Sequence, residues 1–263
     1  MFFNSNLKNI TIPKATTTIL SAAFVGCIYL EEFFSNSPEF VVFNKALYSK
    51  NYLILYGFPS NSYSDLLPTT KEISSARGLS GSSFTNFTLN IPIETFGAHS
   101  IRSCPNLEYV DLSCSKTTIL NNAIFRGCTK LAVVILPPMI QTISSYCFSY
   151  TSILELVIPS NVNYIDSIAF NNTIVTDIYY CGINLFKNSI YRNDINIHVT
   201  NIYPSTTNEF LGCSITDRSF NCSMSNCFLV TDQSFMICPS VKYLFLYNLT
   251  SFILKAFVFI IIY

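Results

Sequence analysis

The chain has 263 residues, half of them hydrophobic, and its 15 Lys and Arg balance 15 Asp and Glu. That balance leaves no electrostatic footprint for nucleic acid or for an anionic membrane. Only 11 % of residues are charged and two are histidine, so polar surface rests on 25 Asn, 32 Ser and 22 Thr; catalytic sites draw mainly on other residue types, and the composition points away from an enzyme.

The opening residues, MFFNSNLKNITIP, lack the basic-then-apolar build of a secretory signal. From Leu7, the line LKNITIPKATTTILSAAFVGC sets a unit that recurs. It returns as LEYVDLSCSKTTILNNAIFRGC from Leu107, LAVVILPPMIQTISSYCFSYT from Leu131 and ILELVIPSNVNYIDSIAFNNT from Ile153. A poorer copy, LNIPIETFGAHSIRSC, ends at Cys104. The shared form is L-x-x-V-x-I-P, a polar turn, then I-x-x-x-A-F-x-x-C, and consecutive units start 22 to 24 residues apart.

Alternation in the first half predicts a short strand with one buried face. Pro13, Pro92, Pro137 and Pro159 then stop the strand, since proline lacks the N–H a ladder needs. In the second half Ala23, Ala123 and Ala169, with Cys147, are the small residues that let coils approach. Phe24, Phe125, Phe148 and Phe170 are the interior fillers. One such unit cannot bury its apolar face alone, so successive units must stack. The expected fold is a leucine-rich-repeat solenoid with one short parallel β-strand per coil.

Between the copies, FVVFNKALYSKNYLILYGFP (40–59) reads as a hairpin, and SYSDLLPTTKEISSARGLSGSS (62–83) as an irregular insertion that breaks the register. Beyond 181 the repeats stop. Cys213, Cys222, Cys227 and Cys238 cluster there in a Ser/Asn-rich stretch. They allow three pairings, and would tie the end piece in an exported protein and stay reduced otherwise. The final VKYLFLYNLTSFILKAFVFIIIY (241–263) is strongly apolar with a central Lys255. A marginal membrane segment, a cleavable anchor signal and a buried end are all compatible with its near-balanced insertion energy. The divisions are 1–33, a first repeat; 34–83, hairpin and irregular segment; 84–180, the array; 181–240, a closing region; and 241–263, the tail.

The pattern I-x-x-x-A-F-x-x-C-x-x-L-x-x-V-x-I-P resembles the BspA-type leucine-rich repeat of bacterial and protist surface antigens, best over about 107–180 and more loosely over 7–33 and 84–106. The 40–59 segment is similar to the hairpin often inserted between that family's repeats. IYYCG with INIHVTNIYPSTTNEFLG is similar to the segment that closes its arrays. The resemblance implies a non-catalytic protein at the cell surface or secreted, with no cofactor, that binds another protein or extracellular matrix.

Stacking the copies places outward side chains in ladders. One holds Asn9, Tyr109, Val133, Glu155 and Asp177; the next holds Thr11, Asp111, Ile135, Val157 and Tyr179. Of these, Tyr109, Asp111, Val133, Ile135, Glu155, Val157, Asp177 and Tyr179 are the candidate partner contacts, because aromatic and desolvatable patches carry binding energy. A covering segment, or a flipped register, would remove them. No C-x-x-C pair occurs and neither His99 nor His198 has zinc-like spacing to cysteine, so no metal site and no catalytic residue is assigned. Cys27, Cys104 and Cys128 share one repeat position with Thr151 and Thr173, an interchange that asks for a small packed side chain. The competing reading is an intracellular scaffold, or a degenerate fragment without a ligand, since the chain starts inside a repeat with neither signal nor polar cap. Membrane association, on any reading, would run through 241–263.

Overall fold

A computed structural model describes residues 2, 5–60, 66–190, 192 and 194–222. The described chain winds into a parallel β-solenoid of about nine turns and contains no helix. Each L-x-x-V-x-I segment forms a strand of three or four residues, seen at Asn9–Ile12, Tyr109–Asp111, Val133–Ile135, Glu155–Ile158 and Asp177–Tyr180. These strands pair in parallel with their counterparts one coil away, Val110 facing Val134 and Leu156 facing Ile178. The alternation does what its period requires: Ile10, Val110, Val134, Leu156 and Ile178 are all buried.

A second, shorter ladder runs along another side of the solenoid. Ile119–Leu120, Thr142–Ile143 and Tyr164–Ile165 pair in parallel, burying Leu120, Ile143 and Ile165. Each coil of the array therefore carries two short strands where the repeat pattern predicts one. The isoleucine that opens the returning half is enough to start the extra strand.

The interior is filled as the repeat implies. Phe125, Phe148 and Phe170 stack at centroid distances of 5.9 and 5.5 Å. Cys27, Cys104 and Cys128, at the position of the Cys/Thr interchange, are buried free thiols, and so is Cys147 at the small position before Phe148. One correction concerns Ala123. The residue directly before Phe125 is Ile124, and Ala123 instead takes a left-handed backbone (φ 54°) at the corner, as Ala22 and Tyr146 do in their coils. Leu120 pairs with Ile143 and Ile143 with Ile165, so Ile124 itself holds the place that Cys147 and Ala169 take in the following coils.

The described part of the 62–83 segment, 66–83, is not the irregular insertion its composition suggests. Glu72–Gly78 is a strand that pairs in parallel with Ile54–Gly57 on one side and Thr95–Phe96 on the other. Phe24 N–H bonds to Ala76 O at 2.9 Å, just as Phe125 bonds to Cys147 O and Phe148 to Ala169 O. By that register Arg77 stands where the other coils carry phenylalanine. Leu79 N–H, however, bonds to Ser100 O, so toward the next coil the register has moved on by two residues. Gly78, at φ 53° and with Ile73 Cγ2 only 2.7 Å from where a Cβ would lie, absorbs the slip. An arginine in an aromatic's place and a two-residue slip together hide a complete coil.

The 40–59 segment forms the expected hairpin, Phe40–Phe43 antiparallel to Ala46–Ser49. Its apolar side joins a small core of Ile10, Ile12, Phe24, Leu30 and Phe33. The rest of the solenoid shares one continuous core from Ala46 to Cys213. At the far end Tyr180, Phe186, Tyr203 and Phe210 pack ring against ring, and Glu209–Phe210 turns back antiparallel to Cys213–Phe220. The disulfide there joins Cys181 to Cys222 across 41 residues. This corrects the pairing expected inside the Cys213, Cys222, Cys227 and Cys238 cluster. Cys222 bonds to a cysteine at the end of the last repeat strand, and Cys213 is a buried free thiol. Closing a loop of that size restricts the unfolded chain by about 4 kcal/mol. Cys227, Cys238 and the 241–263 tail lie outside the described residues.

Candidate binding face

The strand ladder sets a row of outward side chains about 5 Å apart. Asn86, Tyr109 and Val133 follow one another across three strands, with Thr88, Asp111 and Ile135 beside them. Further along, Glu155, Asp177 and Asn196 form one row and Val157, Tyr179 and His198 the other. The two groups meet where Ser152 N–H bonds to Leu131 O at 2.9 Å. Asn9 and Thr11 pair instead with Glu32 and Phe34, because the insertion and the hidden coil separate them from Tyr109 and Asp111.

Most of the predicted residues sit at the surface. Val133 is 47 % exposed and Glu155 is exposed, while Tyr109, Ile135, Val157, Asp177 and Tyr179 are half-buried. Asp111 is the exception, at 2 % exposure. Its carboxylate turns back on its own chain: Oδ1 accepts the Ser113 N–H at 2.8 Å and Oδ2 the Tyr109 hydroxyl at 3.5 Å. A strand-end aspartate that caps its own turn is withdrawn from contact with a partner.

The C-terminal half of the face holds its densest cluster. His198 stacks on Tyr179 with centroids 4.4 Å apart, and Phe220 covers Tyr179 from 5.0 Å. His198 Nε2 lies 2.9 Å from Asp177 Oδ1, and its Nδ1 is 3.7 Å from Asp217 Oδ2. Asn196 also donates to Asp177, at 3.2 Å. The hydrogen bond from His198, aided by Thr176 and Asn196, holds the Asp177 carboxyl below the usual carboxylate range. Burial, and then the nearby carboxylates of Glu155, Asp177 and Asp217, push the Tyr179 phenol up. The result is an aromatic surface framed by negative charge.

Nothing in the repeat pattern marks Asn86, Thr88, Asn196, His198 or Asp217. Asn196 and His198 had one legible signal: N-I-H aligns with D-I-Y at 177–179, so the histidine continues the Tyr179 row. Among the described residues no group of His, Cys, Asp and Glu could hold a metal ion. No described helix is long and apolar enough to cross a membrane.

The other histidine lies on the turn-rich side. His99 takes φ 63°, its N–H bonds to Asn122 O, and its Nδ1 is buried with no hydrogen-bond partner. Burial first, then Arg102 and Arg126, hold its pKa below the ordinary 6.5. The unfolded chain therefore takes up this proton first. The stability His99 permits is complete above about pH 6.5 and is lost as pH falls from there toward the folded-state pKa. In His99→Asn, whose side chain tolerates the left-handed backbone, urea midpoints should fall less between pH 7 and 5 than in the parent chain. Parallel pH profiles would show His99 to be irrelevant.

Residues 1–63 and 60–176 match the family model described as BspA type leucine rich repeat region, in six copies. Among solved structures, a leucine rich cell surface protein from Faecalibacterium prausnitzii A2-165 superposes with a TM-score of 0.60 at 24 % identity. That alignment covers 68 % of this chain and 49 % of the other, so the chain spans about half of that protein's length. The pneumococcal vaccine antigen PcpA aligns at a TM-score of 0.49 and 18 % identity, over 76 % of this chain and 46 % of that one. A leucine-rich repeat protein from Eubacterium ventriosum ATCC 27560 gives 0.44 and 21 %, over 66 % and 60 %. No curated protein matches the chain.

Proposed function

Because the chain belongs to the BspA-type leucine-rich-repeat family, we infer that it is a non-catalytic binding solenoid. It works at the cell surface and holds a protein or matrix ligand against its strand face, by adhesion or host contact. One observation carries the reading: a strand face of two adjacent outward rows, running from Tyr109, Val133 and Ile135 to Asp177, Tyr179 and His198, in which exposed and half-buried aromatic and aliphatic side chains stand among carboxylates. Such a row offers area to bury and charges to orient a partner. Glu155, Val157, Asp177 and Tyr179 are the central contacts in this reading, with Ile135 beside them.

The Cys181–Cys222 disulfide favours an oxidising compartment over the intracellular scaffold. Any membrane attachment belongs to 241–263, and surface labelling of intact cells expressing the chain with and without those residues tests it.

The binding reading is tested with the purified full chain on fibronectin- and laminin-coated wells and on epithelial cells before and after trypsin. Retention should be lost from trypsin-treated cells. It should fall about tenfold in Tyr179→Ala, the order of an interface anchor, and further in Tyr179→Ala/Val133→Asp. Retention that these variants leave unchanged, or no retention on any surface, overturns the reading.

A further inference from the structure

We propose that the turn-rich side of the solenoid carries a second binding site, for an acidic sugar chain, built on Arg102 and Arg126 with Tyr146 and Tyr150 beside them. The two arginines occupy matching places in consecutive coils. Ser103 N–H bonds to Arg126 O at 2.9 Å, and Gly81 N–H bonds to Arg102 O at 2.9 Å, so the coils lie directly side by side here. Successive coils are about 5 Å apart, which sets two like charges in close file.

Among the described residues no carboxylate pairs with them. The ion pairs among the described residues are Lys8 with Glu31, Lys71 with Glu94, Arg192 with Asp194, and His198 with Asp177 and Asp217. Arg102 and Arg126 take part in none of these, and Arg126 lowers the pKa of Arg102 beyond what burial does. His99 adds a third nitrogen base to the same patch, with its Nδ1 unpartnered. The file of positive groups is an internal repulsion that an anion would relieve.

The neighbouring rings narrow the choice of anion. Arg126 lies over the Tyr146 ring at 5.0 Å and 5.9 Å from that of Tyr150. These contacts orient the guanidinium without cancelling its charge. Tyr150 is 49 % exposed, leaving ring surface on which a flat sugar face can pack. Guanidinium groups grip planar carboxylates and sulfates through paired N–H bonds. Two arginines and a histidine fall short of the four to eight basic residues of a lipid-binding cluster. An aromatic surface beside paired guanidinium groups fits a sulfated or uronate-bearing sugar better than an acidic peptide. The site lies off the strand face, so it stands or falls separately from the protein-binding reading.

Titration of the full chain with a heparin hexasaccharide at low salt tests the proposal, with a hyaluronan hexasaccharide separating sulfate from carboxylate. Decaglutamate and phosphatidylserine vesicles are the competing anions. Saturable binding of either hexasaccharide is expected, weakened at least tenfold in Arg102→Gln/Arg126→Gln and several-fold in Tyr150→Ala. The His99 titration midpoint, followed by NMR, should move up on saturation as the two charges are neutralised. The double variant should unfold at the parent temperature or above it, since a repulsion has been removed. Absence of hexasaccharide binding, indifference to the double variant, or equal binding of decaglutamate or vesicles overturns the proposal.

Discussion

Arg77→Ala is expected to cost about 3–5 kcal/mol of stability, read as a fall in urea midpoint. Arg77 is fully buried, and among the described residues no carboxylate pairs with it. Its Nε donates to Phe58 O at 2.9 Å, one terminal nitrogen to Cys27 O at 2.7 Å and the other to Ser60 Oγ at 2.6 Å. Those acceptors belong to the first coil and to the end of the hairpin insertion, so one side chain ties the small N-terminal core to the main one. Burial pushes the guanidinium down to about 10, which opposes folding by about 3 kcal/mol at neutral pH. Alanine relieves that cost. It also opens a cavity and abandons three short charge-assisted bonds, each worth about 1.5–3 kcal/mol. The bonds and the cavity together outweigh the relief. Arg77→Met fills most of the volume and restores none of the bonds, so it should recover part of the loss and no more. Limited proteolysis of both variants should cut first within 9–49, where the small core comes loose. An alanine variant with the parent midpoint would show the clamp to be idle.

Phe148→Ala should destabilise by about 3–5 kcal/mol, and Phe148→Leu by about 1–1.5 kcal/mol. Phe148 is 1 % exposed and is the middle ring of three, with Phe125 and Phe170 stacked on either side. Neither neighbour can close the gap, because each is held by its own coil's backbone ladder. In a stacked array each coil is stabilised mainly by its neighbours. The alanine variant should therefore also unfold less cooperatively, with a lower urea m-value, as the two halves of the array separate. A loss below 1 kcal/mol with the slope unchanged would mean the aromatic column is not what couples the coils.

These two side chains also mark how far the residues alone could be read. Phe148 recurs at a fixed place in a 22 to 24 residue pattern, and its burial follows from that period before any coordinates are known. Arg77 breaks the pattern. A single charged residue in a stretch of Ser, Gly and Leu reads as loop, and the coil beneath it shows only in the parallel pairing of Glu72–Gly78 and the bond from Phe24 N–H to Ala76 O. The strand face divides in the same way. Val133, Glu155, Asp177 and Tyr179 were legible from alternation. The burial of Asp111 was not, since it depends on a turn that folds its carboxylate onto Ser113. His198 was passed over because its strand lies past the last clear repeat.

Periodic burial is a local property: a strand must alternate and a short coil must stack, so the chain's own pattern was sufficient for the solenoid, its interior rows and its outward ladders. Partners at a distance obey no such period. The Arg77 clamp arises where a two-residue slip offsets one coil against the next, and the Cys181–Cys222 link ties the end of the last repeat strand to the closing region; both are set only when the coils have packed.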